Sequence, residues 1–328
     1  VSNAKDCSAF LNSIKIPDDH IIVSFDVNAL YTSVPVSDAL QALSQALDKL
    51  RDDDLKAYDL DKFSIMTLVN ACLKDNYFNF NGTCYSQNTG LAMGNPLSAV
   101  LANIFMANID DKINEYCPFK LLFWLRYVDD VITAIHKDHV YAVLSFINLV
   151  HPNIKFTVET ESNNTLAFLD LKVLHINNDL FTTVYRKPMS SNYLINFNSY
   201  HAQSQKAGLI YGLIHRAQHV CSNTYLRNLE IEFIKDCLYA CQFPVTFVDY
   251  HIKKALEKFT TPRYMLLPCV SGPLNEEQST RYQTVNNNNR KFIGLPYDKH
   301  LEKNICKTAA EVGLSIGFKP GAQLKKPS

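Results

Sequence analysis

The sequence predicts an α+β chain in three parts. A mixed half of short apolar strands and amphipathic helices covers residues 1–186, an all-helical stretch covers 187–260, and a small α/β unit at 291–328 follows a linker at 261–290. Three observations carry this. Short β-branched runs such as His20-Ile-Ile-Val-Ser-Phe-Asp-Val27 and Leu121-Leu-Phe-Trp-Leu-Arg-Tyr-Val128 have the length and residue types of buried strands. Beyond Pro188 the apolar spacing changes to the helical period. The charge changes with it: residues 1–185 hold 13 Lys and Arg against 22 Asp and Glu, and residues 186–328 hold 19 against 10, so a formal net charge of zero conceals halves of −9 and +9.

Taken in order, the strand at 20–27 ends at Asp26, and Ser37 is placed to cap a helix at about 38–50. A second helix spans about 62–75. Asn81-Gly82 between the aromatic stretches 77–80 and 83–85 marks a hairpin. Pro96 opens an apolar helix to about Glu115. The strand 121–128 turns at Asp129-Asp130 and returns through Val131–Ile135; a helix at about 138–150 and a strand at 154–161 follow. Strands at 166–175 and 180–186 flank the turn residues Asn177-Asn178-Asp179. Helices are expected at about 203–221, 224–241 and 246–259. Strands at 291–296 and 314–318 around a helix at about 298–312 complete the small terminal unit.

Composition narrows the function. With 47% apolar residues, 10 Gly and 13 Pro, the chain is neither collagen-like nor of low complexity. It holds no run of about 20 apolar residues, so no membrane partner is expected. Nine Cys without a C-x-x-C pair signal neither a disulfide framework nor a zinc knuckle, and a reducing intracellular compartment, nuclear or cytoplasmic, fits. Cys237 and Cys241 are read as buried thiols, and His215 and His219 as surface or nucleic-acid contacts.

Asp26 and the pair Asp129-Asp130 stand out because each lies at the end of a strongly apolar strand. Adjacent carboxylates repel and lose hydration, so they are stable when solvated or neutralised by a cation. If the strands are neighbours, their oxygens converge as hard ligands suited to Mg²⁺. A polar hairpin turn is the plain alternative.

The wording around the aspartates resembles reverse transcriptases. Tyr127-Val128-Asp129-Asp130 is similar to their Y-x-D-D box, Phe25-Asp26-Val27 through Tyr31 and Pro35 to their first palm motif, and Leu91-Ala-Met-Gly94-Asn-Pro96-Leu-Ser98 to the motif between them; Leu166–Leu171 resembles the hairpin that leads from palm to thumb. Within that group the phrases Tyr185-Arg-Lys-Pro188, Leu213–Ser222, Ile293-Gly-Leu-Pro-Tyr297 and Ile316-Gly-Phe-Lys-Pro320 resemble Penelope-like retroelements, which are related to telomerase.

The resemblance implies a right-hand polymerase palm, an antiparallel sheet backed by helices, followed by an all-α thumb that is helix-turn-helix-like and a small connector. It places most of the fingers and a GIY-YIG endonuclease domain outside this chain. It implies RNA-directed DNA polymerase activity with two Mg²⁺ ions, or Mn²⁺ in their place, and no organic cofactor. RNA template, DNA primer and deoxynucleoside triphosphates would be the partners. Asp26, Asp129 and Asp130 would be catalytic metal ligands with the Val27 carbonyl. Tyr31 would exclude a ribose 2′-hydroxyl, and Met93, Gly94, Asn95 and Pro96 would line the nucleotide. Met93 stands where many reverse transcriptases carry Gln, and Lys155 is the nearest substitute for a lysine found near residues 159–165 in many polymerases. In the basic half Arg186, Lys187, Lys206, Arg216, Lys253 and Lys254 are candidate phosphate contacts, with aromatic residues among them for stacking. The alternative function is that of a catalytically inactive remnant that binds nucleic acid.

Overall fold

The computed structural model describes residues 1–50, 55, 60–74 and 76–260, together with the backbone of two strands at 292–296 and 315–319. The expected linker and the expected helix at 298–312 lie outside the described residues. The chain divides into two compact units, Val1–Tyr185 and Arg186–Ser328.

The first unit is built on a four-stranded antiparallel sheet. Strands β1 (His20–Val27), β4 (Leu121–Tyr127), β5 (Asp130–His136) and β6 (Phe156–Thr160) lie in the order β4-β5-β1-β6. The period of two assigns the faces. Val23, Phe25 and Val27 of β1, with Val131 and Ile135 of β5, join one core with Leu43 of helix Val36–Asp48, Met106 and Ile109 of helix Pro96–Tyr116, and Val143 of helix Val140–Ile147. Asp26 pairs directly with Asp130 in register, so both belong to the opposite face. The hairpin β2 (Tyr77–Phe80) and β3 (Thr83–Ser86) turns at Asn81-Gly82, both at positive φ, as the sequence indicates.

A second, three-stranded sheet follows, β7 (Thr165–Phe168), β8 (Leu171–Ile176) and β9 (Asp179–Val184). The single strand expected over 166–175 is broken: Leu169 takes φ +53° and the chain reverses there, so β7 and β8 form a hairpin. Helix Ala4–Leu11, which the sequence reading missed, carries Ser8, whose hydroxyl meets that of Thr182 on β9 at 2.7 Å in a buried contact. Ser37 does not cap its helix. The N-cap is Pro35, and the Ser37 hydroxyl bonds Asp38 instead.

The second unit packs helices Gln203–Val220, Thr224–Ala240 and Val245–Thr260 around Ile210, Ile214, Ile234, Leu238, Val248 and Ile252. Asn223 caps the middle helix by accepting the Leu226 N–H at 2.9 Å. Strands β10 (Phe292–Pro296) and β11 (Ser315–Lys319) pair in parallel. Among the described residues no helix is long and apolar enough to cross a membrane, and the described cysteines, Cys237 and buried Cys241 included, are free thiols.

Candidate active site

The penultimate residue of β1 and the first residue of β5 meet at one end of the four-stranded sheet. Asp26 is opposite Asp130, and the turn Val128-Asp129 joins β4 to β5 beside them. The Asp129 carbonyl accepts the Val27 N–H at 3.3 Å, which ties the turn to β1. Val128 sits at φ +59°. A β-branched side chain holds that conformation at a cost of roughly 1–3 kcal/mol, and such residues persist where surrounding bonds over-determine them.

The electrostatics follow from like charges gathered at a partly buried sheet end. Burial, then the Asp129 charge, raises the Asp26 carboxyl above the usual carboxylate range, while the Val27 N–H pulls the other way. Burial, then Asp129 and Asp26, pushes Asp130 up to about 6. Among the described residues none of the three has an ion-pair partner. Their oxygens therefore suit a hard divalent cation that would offset the repulsion. The fit lies in donor chemistry rather than in a finished cage, because among the described residues no three His, Cys, Asp or Glu side chains are already gathered as a metal-binding group.

A cavity of about 270 Å³ lies beside Asp26 and Asp130, lined by Ser24, Thr157, Glu159 and Phe168 among others. A larger one of about 660 Å³ lies over the segment Met93–Pro96, with Thr32, Asn76, Phe78 and Gln87 on its walls. Tyr31 is half-buried on the short helix Leu30–Ser33 and packs on the palm-side core. Its carbonyl accepts the Leu91 N–H at 2.6 Å, binding that short helix to the segment ahead of Met93.

The four residues of that segment are not equivalent. Met93 is 74% exposed. A Cβ built on Gly94 would meet nothing within 4 Å, so no neighbour within the chain demands glycine there. Pro96 occupies the first turn of its helix. The Asn95 side chain is already committed: Oδ1 caps the helix by accepting the Leu97 N–H at 3.0 Å, and Nδ2 donates to the Cys72 carbonyl at 2.9 Å. Asn95 thus shapes the segment, and its backbone is committed as well, the N–H to the Ala92 carbonyl and the carbonyl to the Ser98 N–H, each at 3.0 Å.

The residue that does require glycine is Gly90, which sequence reasoning passed over. It holds φ +76°, and a Cβ would lie 2.5 Å from the Thr32 carbonyl oxygen. Arg126 was likewise missed, with its bonds to Asp110, Asn103 and the Val128 carbonyl. Lys155 is engaged elsewhere, donating to the Asn148 carbonyl at 2.8 Å.

In the helical unit two of the six nominated cations are withdrawn by the fold. Lys206 is 2% exposed, donates to the Ser199 carbonyl at 2.9 Å and lies over the Phe197 ring, so it anchors the core and does not face a phosphate. Arg186 forms a two-pronged pair with buried Glu230 and stacks on Phe233 at 4.0 Å. Arg216 is half-buried. Lys187, Lys253 and Lys254 are exposed, and Lys254 sits 4.7 Å from the centre of the Tyr250 ring. The His215 and His219 rings meet at a tilt of 39° with centres 4.1 Å apart.

Residues 6–154 match the family described as Reverse transcriptase (RNA-dependent DNA polymerase). Residues 193–253 match the family described as Animal helix-turn-helix domain. No curated protein matches the chain. Among solved structures it is similar to telomerase from Candida albicans in complex with a TWJ fragment of telomeric RNA, at 16% identity over 77% of this chain and 46% of that one, TM-score 0.45. It is also similar to apo telomerase from Candida tropicalis truncated from its C-terminal domain, at 14% identity over 55% of this chain and 40% of that one, TM-score 0.43. A third is Sicinivirus 3Dpol RNA-dependent RNA polymerase, at 12% identity over 78% and 55%, TM-score 0.43. The chain spans less than two thirds of the length of each.

Proposed function

We propose that this chain is the palm, thumb and connector of a Penelope-like reverse transcriptase that extends a DNA primer on an RNA template. The observation that carries the reading is the meeting of Asp26, Asp129 and Asp130 at one sheet end inside the segment that matches the reverse transcriptase family.

Asp26 and Asp129, with the Val27 carbonyl, would hold two Mg²⁺ ions, and Asp130 would assist. When bound there, the ions would make the primer 3′-hydroxyl more acidic and spread the charge of the leaving pyrophosphate. The chain's own residues supply position. Tyr31 would stand against the sugar of the incoming nucleotide and leave no room for a 2′-hydroxyl, which selects deoxynucleotides. The open face of Gly94 and the exposed Met93 would let the nucleotide lie close to the backbone. In the helical unit Lys187, Lys253 and Lys254 would contact template-primer phosphates, a role supported by their exposure and, for Lys253 alone, by the helix-turn-helix match over 193–253. That match also favours a second reading, in which the helical unit binds nucleic acid and no polymerisation occurs.

Primer extension on an RNA template with Mg²⁺ and deoxynucleotides, run on the chain and on Asp129→Asn with a binding control, decides between them. Extension by the parent alone is expected. Binding without extension by either protein would favour the second reading, and extension by the variant at the parent's rate would remove Asp129 from catalysis.

A further inference from the structure

One guanidinium links the helix that begins at Pro96 to the turn that carries Asp129. Asn103 and Asp110 lie two turns apart on helix Pro96–Tyr116, hence on one face. Asp110 accepts the Trp124 indole N–H at 2.9 Å on Oδ1 and the Arg126 Nε–H at 2.6 Å on Oδ2. Arg126 then spends Nη1 on the Asn103 side-chain oxygen at 3.0 Å and on the Val128 carbonyl at 2.9 Å. Its Nη2 reaches the Asn103 carbonyl at 3.4 Å. The Arg126 and Asp110 side chains are 9% and 18% exposed, so this charge pair is shielded from water.

The Val128 carbonyl belongs to the peptide plane that delivers Asp129. Fixing its direction fixes the rotation of that plane, and with it the point from which the Asp129 side chain departs. The turn has reason to relax if released, because Val128 is held at φ +59°. On the other side the Asp129 carbonyl is held by the Val27 N–H at 3.3 Å. Asp129 is therefore gripped from before and after, once from the helix side and once from β1.

We propose that Arg126, clamped by Asp110 and Asn103, is a positioning residue that holds the Val128–Asp129 peptide in its left-handed turn, so that the Asp129 carboxylate stands beside Asp26 and Asp130 to share a cation. Its effect on rate rests on the polymerase reading; its effect on cation binding does not. Lysine keeps the charge beside Asp110 but lacks the planar fork that serves Asp110, Asn103 and Val128 at once.

The test uses the full chain, its Arg126→Lys and Asp129→Asn variants, and the double variant Arg126→Lys with Val128→Gly. Mn²⁺ binding is read by electron paramagnetic resonance of the free ion, and kcat and KM by primer extension. Arg126→Lys is expected to weaken Mn²⁺ binding about tenfold and to lower kcat by roughly 10- to 100-fold while KM for the nucleotide stays near the parent's, the pattern of a misplaced reacting group. Glycine accepts positive φ without strain, so Val128→Gly should recover about a fivefold part of that loss. An arginine that merely supported the fold would lower the melting temperature, and the glycine would recover nothing. Undiminished Mn²⁺ affinity and kcat in Arg126→Lys, or no recovery in the double variant, overturns the inference. If the parent binds Mn²⁺ through Asp129 and Arg126→Lys weakens that binding, but no primer is extended, the polymerase reading falls and the positioning role stands.

Discussion

The acidic sheet end and the basic helical unit treat their charges in opposite ways. At the sheet end Asp26, Asp129 and Asp130 are brought together with no ion-pair partner among the described residues, and two are pushed toward their neutral forms. In the helical unit the fold consumes charge: Arg186 is paired to Glu230 and Lys206 is buried against Phe197. The difference teaches that a charged residue in a sequence states its sign and not its availability. A site leaves charge uncompensated, whereas a core does not tolerate it.

The strongest test of this contrast is Asp26→Asn, which should cut primer extension about 10³-fold or more while template-primer binding persists. A loss of binding instead would mean that the carboxylate holds the fold. In the other unit Glu230→Ala leaves Arg186 half-buried without its partner. It should cost about 4 kcal/mol of stability in denaturant melts, and a cost under about 1 kcal/mol would return Arg186 to the list of available cations. Gly90→Ala should cost about 3 kcal/mol, from the positive φ and the approach to Thr32. It should also lower extension, because the Leu91–Tyr31 bond lies next to it. The pair Lys253→Gln and Lys254→Gln should reduce the slope of log affinity against log salt by about 2, while Lys206→Met leaves that slope unchanged; equal effects from both would erase the distinction between exposed and buried cations.

The smallest effect concerns pH. Asp130 binds its proton more tightly in the folded chain, with its pKa raised from 3.8 to about 6. Stability from this group is then present below pH 4 and is lost as pH rises through about 6. Without divalent cations Asp130→Asn should melt about 2 °C higher than the parent at pH 7.5 and no higher at pH 4. Added Mg²⁺ should narrow the gap at pH 7.5. A gap that does not change with pH would show that Asp130 is solvated as an ordinary surface carboxylate.

Much of the sheet end was legible in the sequence, because strands of period two place their terminal residues by counting. The strand ends at Asp26 and Asp130 follow from the lengths of two apolar runs, and the two-residue turn sets Tyr127 opposite Asp130, but the register that sets Asp26 opposite Asp130 joins β1 to β5 across more than a hundred residues and was not legible. The three helices of the basic unit were legible for a similar reason, since their buried positions recur every three to four residues. The break at Leu169 was legible only from the resemblance of Leu166–Leu171 to a hairpin and not from the residues themselves, because an apolar residue at positive φ carries no turn signal. Nor was the bond from the Asn95 amide to the Cys72 carbonyl legible, since that partner lies on another helix.

The sequence by itself determined which chemistry was on offer: hard carboxylate oxygens at strand ends, a tyrosine five residues beyond the first of them, and a basic helical half. Only the tertiary structure decided which groups are free to use it. Availability depends on contacts between residues far apart in the chain. Arg126 meets Asp110 sixteen residues away, Arg186 meets Glu230 across forty-four, and Gly90 is pressed against Thr32. No local pattern encodes such meetings, because they are set by packing, and packing is the joint property of elements whose order in space the period of any one of them leaves undetermined.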